Sequence, residues 1–244
     1  MKRLILIFAV ACAYAAQAQV VIEHGATMHL SRGTQMVLSS VSMEVEGELL
    51  CDTSTIVGLG GAGASRLSSP HTIALYSLRV DGDVEVSTDG LTCAGDVLMG
   101  TGILNLLHTT MQLRGSLLNE NEAGYLTGGR VEKTLPAAGG GEKVSTGMGL
   151  SITPASSYEN LPVARVHDRQ HNRGEQSVAR YYEFPTAVPL VGVDVAYLNA
   201  CSPKPAADSY LLYHKAPQGW ESLPPRKRTL PASELQAGWP SRWR

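Results

Sequence analysis

One hydrophobic–polar pattern recurs around glycine between Leu78 and Asn119. It reads Leu78-Arg79-Val80-Asp81-Gly82-Asp83-Val84-Glu85-Val86, then Leu91-Thr92-Cys93-Ala94-Gly95-Asp96-Val97-Leu98-Met99, then Met111-Gln112-Leu113-Arg114-Gly115-Ser116-Leu117-Leu118-Asn119. Met43 to Cys51 fits the same frame about Gly47, with Glu48 in the acidic slot. Counting from each glycine, apolar residues fall at −4, −2, +2 and usually +4. Strand side chains alternate faces with a period of two, so these residues share one face. The other face carries Arg79, Asp81, Asp83 and Glu85 in one copy and Thr92, Ala94, Asp96 and Leu98 in another. That is a half-buried strand with a wet outer side. Glycine inside a strand marks a bend, a bulge or a close backbone approach, so its recurrence predicts one bend per unit. Each unit is too short to bury its own apolar face, and stacking neighbours would bury a continuous core, as in a β-solenoid. The glycines are spaced 35, 13 and 20 residues apart. That spacing is uneven for coils of fixed length, so an antiparallel meander stays open beside the solenoid for residues 19–135.

The flanks of this region read differently. Lys2 and Arg3 precede the apolar run Leu4 to Ala13, and Ala16-Gln17-Ala18 supplies a small-residue cleavage site. Residues 1–18 therefore read as a secretory signal peptide, with Cys12 as the lipidated residue of a competing lipoprotein reading. No other run approaches the roughly 20 apolar residues of a membrane span. Val20 to Leu38 alternates loosely and is expected to cap the first edge of the repeat. Gly58 to Ser69 is small-residue rich and predicts a flexible loop. Residues 136–147, with Ala137-Ala138-Gly139-Gly140-Gly141, read as a linker.

Beyond Ser151 there are six Tyr, three Trp and one Phe, whereas Gln19 to Leu150 holds only Tyr76 and Tyr125 as aromatics. Five strand candidates with turn signals then predict a small β-sandwich over 148–223. Residues 224–244 carry a net charge of +4 and four prolines, and are expected to form a loose, disordered tail. The fold class is thus all-β: stacked, glycine-bent short strands followed by a small sandwich.

Charge and cysteines narrow the classes. With the leader removed, 18 basic face 22 acidic residues, which argues against a nucleic-acid partner. Cys51, Cys93 and Cys201 would remain, an odd number for full pairing in an exported chain. Cys51 and Cys93 fall on the apolar face at +4 and −2, in different columns of the repeat, and read as buried thiols.

Thr153-Pro154, Val163-Ala164-Arg165-Val166-His167, Gly174 with Ser177-Val178-Ala179-Arg180-Tyr181-Tyr182, Val193 to Tyr197, and the Tyr210-Leu211-Leu212-Tyr213 run before Gly219-Trp220 carry a resemblance. Together with the glycine-bent repeat ahead of them, they resemble segments of large secreted, adhesin-like surface proteins of Bacteroidetes. The resemblance implies a secreted or outer-surface protein, adhesive in character, and transfers no catalytic residue. Such proteins run on into further domains or a C-terminal sorting domain. The end here, Arg226-Lys227-Arg228 to Trp243-Arg244, resembles neither, as a truncated member would.

Each candidate constellation has a plainer reading. Gly58, Gly60 and Gly63 match G-x-G-x-x-G, but Ser68-Ser69-Pro70 follows where a dinucleotide site needs a helix. His167 and His171 stand four apart in a predicted solvated hairpin, without the glutamate of a metalloprotease motif. Asp81, Asp83, Asp89 and Asp96 lack the nonapeptide period of calcium-binding repeats. Asp168, His171 and Ser177 lack a nucleophile elbow. Arg226-Lys227-Arg228 reads as a solvated tail. The expectation is a non-catalytic, exported structural or adhesive module without cofactor or metal, whose partners are surface or extracellular glycans or proteins. The alternatives are a carbohydrate-binding module or a polysaccharide-degrading β-helix enzyme. Tyr181, Tyr182, Tyr213 and Trp220 are the candidate binding surface.

Overall fold

The computed structural model describes residues 18–168, 180–196 and 198, with strand pairing alone at 171–172, 175–176, 212–216, 219–222 and 230–237. Strands follow one another in threes. The first coil holds β1 (Ala18–Ile22), β2 (Thr27–Leu30) and β3 (Gln35–Ser39), and the second β4 (Val41–Val45), β5 (Glu48–Cys51) and β6 (Ile56–Gly60). Then come β7 (Ser65–Ser68), β8 (Thr72–Leu75) and β9 (Ser77–Asp81), and β10 (Val84–Ser87), β11 (Gly90–Cys93) and β12 (Val97–Met99). A fifth coil holds β13 (Gly102–Asn105), β14 (Thr110–Leu113) and β15 (Leu117–Leu118), and β16 (Gly124–Thr127) and β17 (Arg130–Leu135) begin a sixth.

Every third strand pairs in parallel. β1-β4-β7-β10-β13-β16 forms one wall, β3-β6-β9-β12-β15 another, and β2 with β5 and β8-β11-β14-β17 the third. This is a three-sided β-solenoid, and the parallel register excludes the meander. The apolar slots all point inward. Leu78, Val80, Val84 and Val86 flank Gly82, and Leu91, Cys93, Val97 and Met99 flank Gly95, all with at most 2% exposure.

The uneven glycine spacing now has a cause. Gly47 turns the corner from β4 to β5, Gly82 from β9 to β10, and Gly95 and Gly115 from the third wall to the second. All three corners use one local motif, so successive glycines mix corners. At a single corner the period is that of a coil: Val84 pairs with Leu104 and Val97 with Leu117, each 20 residues on. The acidic slot after glycine serves these corners. Asp83 Oδ1 accepts the Ile103 backbone N–H at 2.9 Å, and Asp96 Oδ1 accepts that of Ser116 at 2.7 Å. These carboxylates tie one coil to the next.

Two expectations change. The 58–69 stretch is mostly strand: Gly58 and Gly60 lie in β6, and Ser65 to Ser68 form β7, so only the four residues between them turn. Gly58 sits in the outer row beside Val37, where a side chain would meet Val37 Cγ2 at 3.4 Å. Residues 18–39 form the first coil, at the edge of the solenoid, since β1 is in full register with β4. Cys51 and Cys93 belong to one wall, not to different columns, and β8 stands between their strands. Both are free thiols. Burial pushes the Cys93 thiol up to about 12, with Cys51 nearby adding to the shift. The thiolate is the reactive form, so Cys93 should resist maleimide at pH 8 until the chain unfolds, while half-buried Cys51 labels first. Mass spectrometry of alkylated peptides checks this.

The carboxyl-terminal strands are β18 (Val144–Ser145), β19 (Leu150–Pro154), β20 (Leu161–Val166), β21 (His171–Asn172), β22 (Glu175–Gln176), β23 (Tyr181–Val195), β24 (Leu212–Ala216), β25 (Gly219–Ser222) and β26 (Leu230–Ala237). All but the separate β21–β22 hairpin continue the third wall. β17 pairs with β14 in parallel on one edge and with β20 antiparallel on the other, and the sheet runs on through β23, β26, β24 and β25. Residues 136–147 therefore do not separate two cores. Met148, Leu150, Ile152, Leu161, Val163, Tyr182 and Phe184 join the same buried cluster as the coils. The Leu117 backbone N–H donates to the Gly147 carbonyl at 2.7 Å, so this region covers the last coil. Inside the expected loose tail, Leu230–Ala237 form a strand between β23 and β24. Backbone partners on both edges supply what an isolated proline-rich segment lacks, and Pro231 stands opposite Pro189, where neither residue has an N–H to satisfy.

Candidate functional site

Charged side chains converge where the last coil meets the added sheet. In β20, Leu161 and Val163 fix the inward phase, and two residues further on that phase delivers Arg165, with no exposed side-chain surface. In β23 the same alternation buries Tyr182 and Phe184, with Arg180 just ahead of the strand. Glu120, in the loop between β15 and β16, meets both arginines. Arg165 donates to both carboxylate oxygens at 2.6 Å, a bidentate pair. Arg180 donates to Glu120 Oε1 at 3.5 Å. The Leu126 backbone N–H also donates to Oε1, at 3.1 Å. Arg165 reaches the Met148 carbonyl at 3.1 Å, and the Tyr182 hydroxyl donates to that same carbonyl at 2.7 Å. Arg180 donates to the Ala196 carbonyl at 3.2 Å.

His167 completes the cluster. Its Nε2 lies 2.8 Å from Arg165 Nε. A guanidinium can only donate, so Nε2 accepts and the ring is neutral with its proton on Nδ1. Burial, then the charges of Arg165 and Arg180, hold the imidazole well below the usual histidine range, against the opposing pull of the Gly128 and Gly129 backbone. Among the described residues Nδ1 has no well-aligned partner. Burial alone would raise the Glu120 carboxyl, but Arg165 and then Arg180 outweigh it and hold it below the ordinary value.

The outer side of the same sheet is a second place where functional groups meet. Gln112 donates to Glu132 at 2.6 Å, and Arg130 bridges Glu132 and Glu183. Tyr181 is half-buried beside this row. Compared with protein-family models, curated proteins and solved structures, the chain matches none. The reading of the site therefore stands on its geometry.

The predicted binding row divides. Tyr182 is fully buried and bonded to a backbone carbonyl, so it is core and not surface. Tyr181, one residue before it, falls on the opposite face. The register runs from Tyr181 through Gln236 to Tyr213, so β26 stands between their strands. Trp220 pairs with Lys215 of β24. The side chains of Tyr213 and Trp220 lie outside the described residues.

His167 is half-buried, with its ring nitrogens turned inward, rather than solvated, while His171 opens the short β21–β22 hairpin. Asp81 accepts from Arg79 Nε at 2.6 Å. No group of three or more potential metal ligands gathers among the described residues. Ser177, Cys201 and Arg226 to Arg228 lie outside the described residues. Sequence reasoning passed over Glu120, because Asn119-Glu120-Asn121-Glu122 reads as a wet loop. The signal for its partner was present: Arg165 stands in phase with Leu161 and Val163, at a core position.

Proposed function

We propose that this chain is a non-catalytic, exported structural or adhesive module that presents the outer face of its continuous sheet. The observation that carries this reading is the disposition of charge. The cluster that joins acid, histidine base and cation, around Glu120 and Arg165, is nearly closed to a substrate: Arg165 has no exposed side-chain surface, Arg180 3% and Glu120 11%. General acid–base chemistry requires such groups within hydrogen-bond reach of the reacting atoms. Export fits the solenoid, since cleavage after Ala18 would remove only the first residue of β1. The full-length chain, incubated with uronate-containing and neutral polysaccharides, should generate neither unsaturated uronate absorbance nor new reducing ends. Turnover of any of them would contradict the proposal.

The carbohydrate-binding reading draws on a separate observation, half-buried Tyr181 on the outer face of the sheet that carries the polar row of Gln112, Arg130, Glu132 and Glu183. Rings can stack on sugar faces while the polar row bonds hydroxyls. Glycan-array binding that is lost in Tyr181→Ala would favour it over a purely structural role.

A further inference from the structure

We propose that the carboxyl-terminal sheet is an acid-released cap on the solenoid, latched by the cluster of Glu120, Arg165, Arg180 and His167. The latch joins distant parts of the chain. Glu120 belongs to the loop that closes the fifth coil, whereas Arg165 lies 45 residues on and Arg180 60 residues on, in the added sheet. Among the described residues, the groups around His167 come from every packed element. They are Arg165 on its own strand, Arg180 just ahead of β23, and the Gly128 and Gly129 backbone from the β16–β17 turn, while Glu120 from the β15–β16 loop and Tyr182 of β23 join the cluster through the two arginines.

Two protonations break this arrangement, and both act in the same direction. A proton on His167 Nε2 occupies the lone pair that accepts from Arg165, and sets a cation against two guanidiniums. A proton on Glu120 removes the charge that holds both arginines. His167 is depressed in the closed form relative to its ordinary 6.5, so the open form binds the extra proton as pH falls below that value, and closure weakens. Glu120 is depressed relative to its ordinary 4.5. Its contribution is fully present above 4.5 and is lost as pH falls through its lower closed-state value. Release therefore begins below pH 6.5 and is completed below 4.5. The coils have no equivalent device: their inward positions from Leu67 to Leu113 are filled almost entirely by aliphatic side chains, methionine and Cys93.

Hydrogen–deuterium exchange on the full chain between pH 7.5 and 4, corrected for the intrinsic pH dependence of exchange, tests this. Peptides within 161–166 and 181–195 should lose protection below pH 6.5, by up to about tenfold per pH unit while one proton is taken up. Peptides within 65–113 should stay protected. His167→Gln keeps an acceptor for Arg165 and cannot be protonated, so its onset should move below 4.5. If that variant does not fold at pH 7.5, the wild-type profile decides alone. Loss of protection in cap and coils at the same pH, retention of the cap to pH 4, or an unshifted onset in folded His167→Gln would overturn the proposal.

Discussion

Glu120→Ala lowers the stability of the whole chain by about 3–5 kcal/mol, the cost of removing one partner from a buried ion pair. The size follows from what is left behind. Arg165 has no exposed side-chain surface and Arg180 very little, so both guanidiniums lose their carboxylate without gaining water. The Leu126 backbone N–H loses its acceptor as well. Glu120→Gln recovers little, because its amide would turn an N–H group toward an arginine that can only donate. Glu85→Ala, on the wet outer wall, is the comparison and stays within about 0.5 kcal/mol of wild type. Urea midpoints at pH 7.5 measure all three. Equal midpoints for the Glu120 and Glu85 variants would show that the cluster does not hold the junction.

The second large effect belongs to the stacked corners. Gly102 has φ +110°, a conformation side chains rarely adopt, and a Cβ there would lie 2.5 Å from the Cα of Gly82 in the coil below. The obstruction is backbone, which cannot rotate away. Gly102→Ala therefore combines strain of about 1–3 kcal/mol with overpacking of about 1–3 kcal/mol, and should cost about 3–4 kcal/mol. Gly63→Ala is the matched control: nothing stands within 4 Å of its Cβ position. That change should be neutral or slightly stabilising. Thermal melts of both variants test the corner directly, and a Gly102→Ala melting temperature equal to that of Gly63→Ala would contradict it.

The inward phase of the coils was legible because burial writes itself into period-two alternation. Leu78, Val80, Val84 and Val86 could be placed from the pattern alone. The direction of pairing was hidden, since one glycine motif serves three different corners and the 20-residue period appears only when like corners are compared. The junction was hidden for a different reason. Aromatic enrichment after Ser151 and the glycines near 140 suggested a separate sandwich, but Tyr182 and Phe184 fill the common core, and β17 carries the sheet across. Charge inside that core breaks the rule that links polarity to exposure. From the sequence alone, Arg165 and His167 therefore read as part of a strand leading into a solvated hairpin. Tyr182 reads as a binding ring beside Tyr181 until its inward phase in β23 makes it core.

The account rests on the solenoid and the carboxyl-terminal strands sharing one core. The most direct measurement is the thermal unfolding of residues 19–135 alone against the full chain. Removing 136–244 bares the second edge of β17, takes the Gly147 carbonyl from Leu117, and leaves Glu120 without either arginine. The shared core predicts that the fragment still folds but melts well below the full chain. A fragment that melts cooperatively at the temperature of the full chain would show two independent domains and contradict the account.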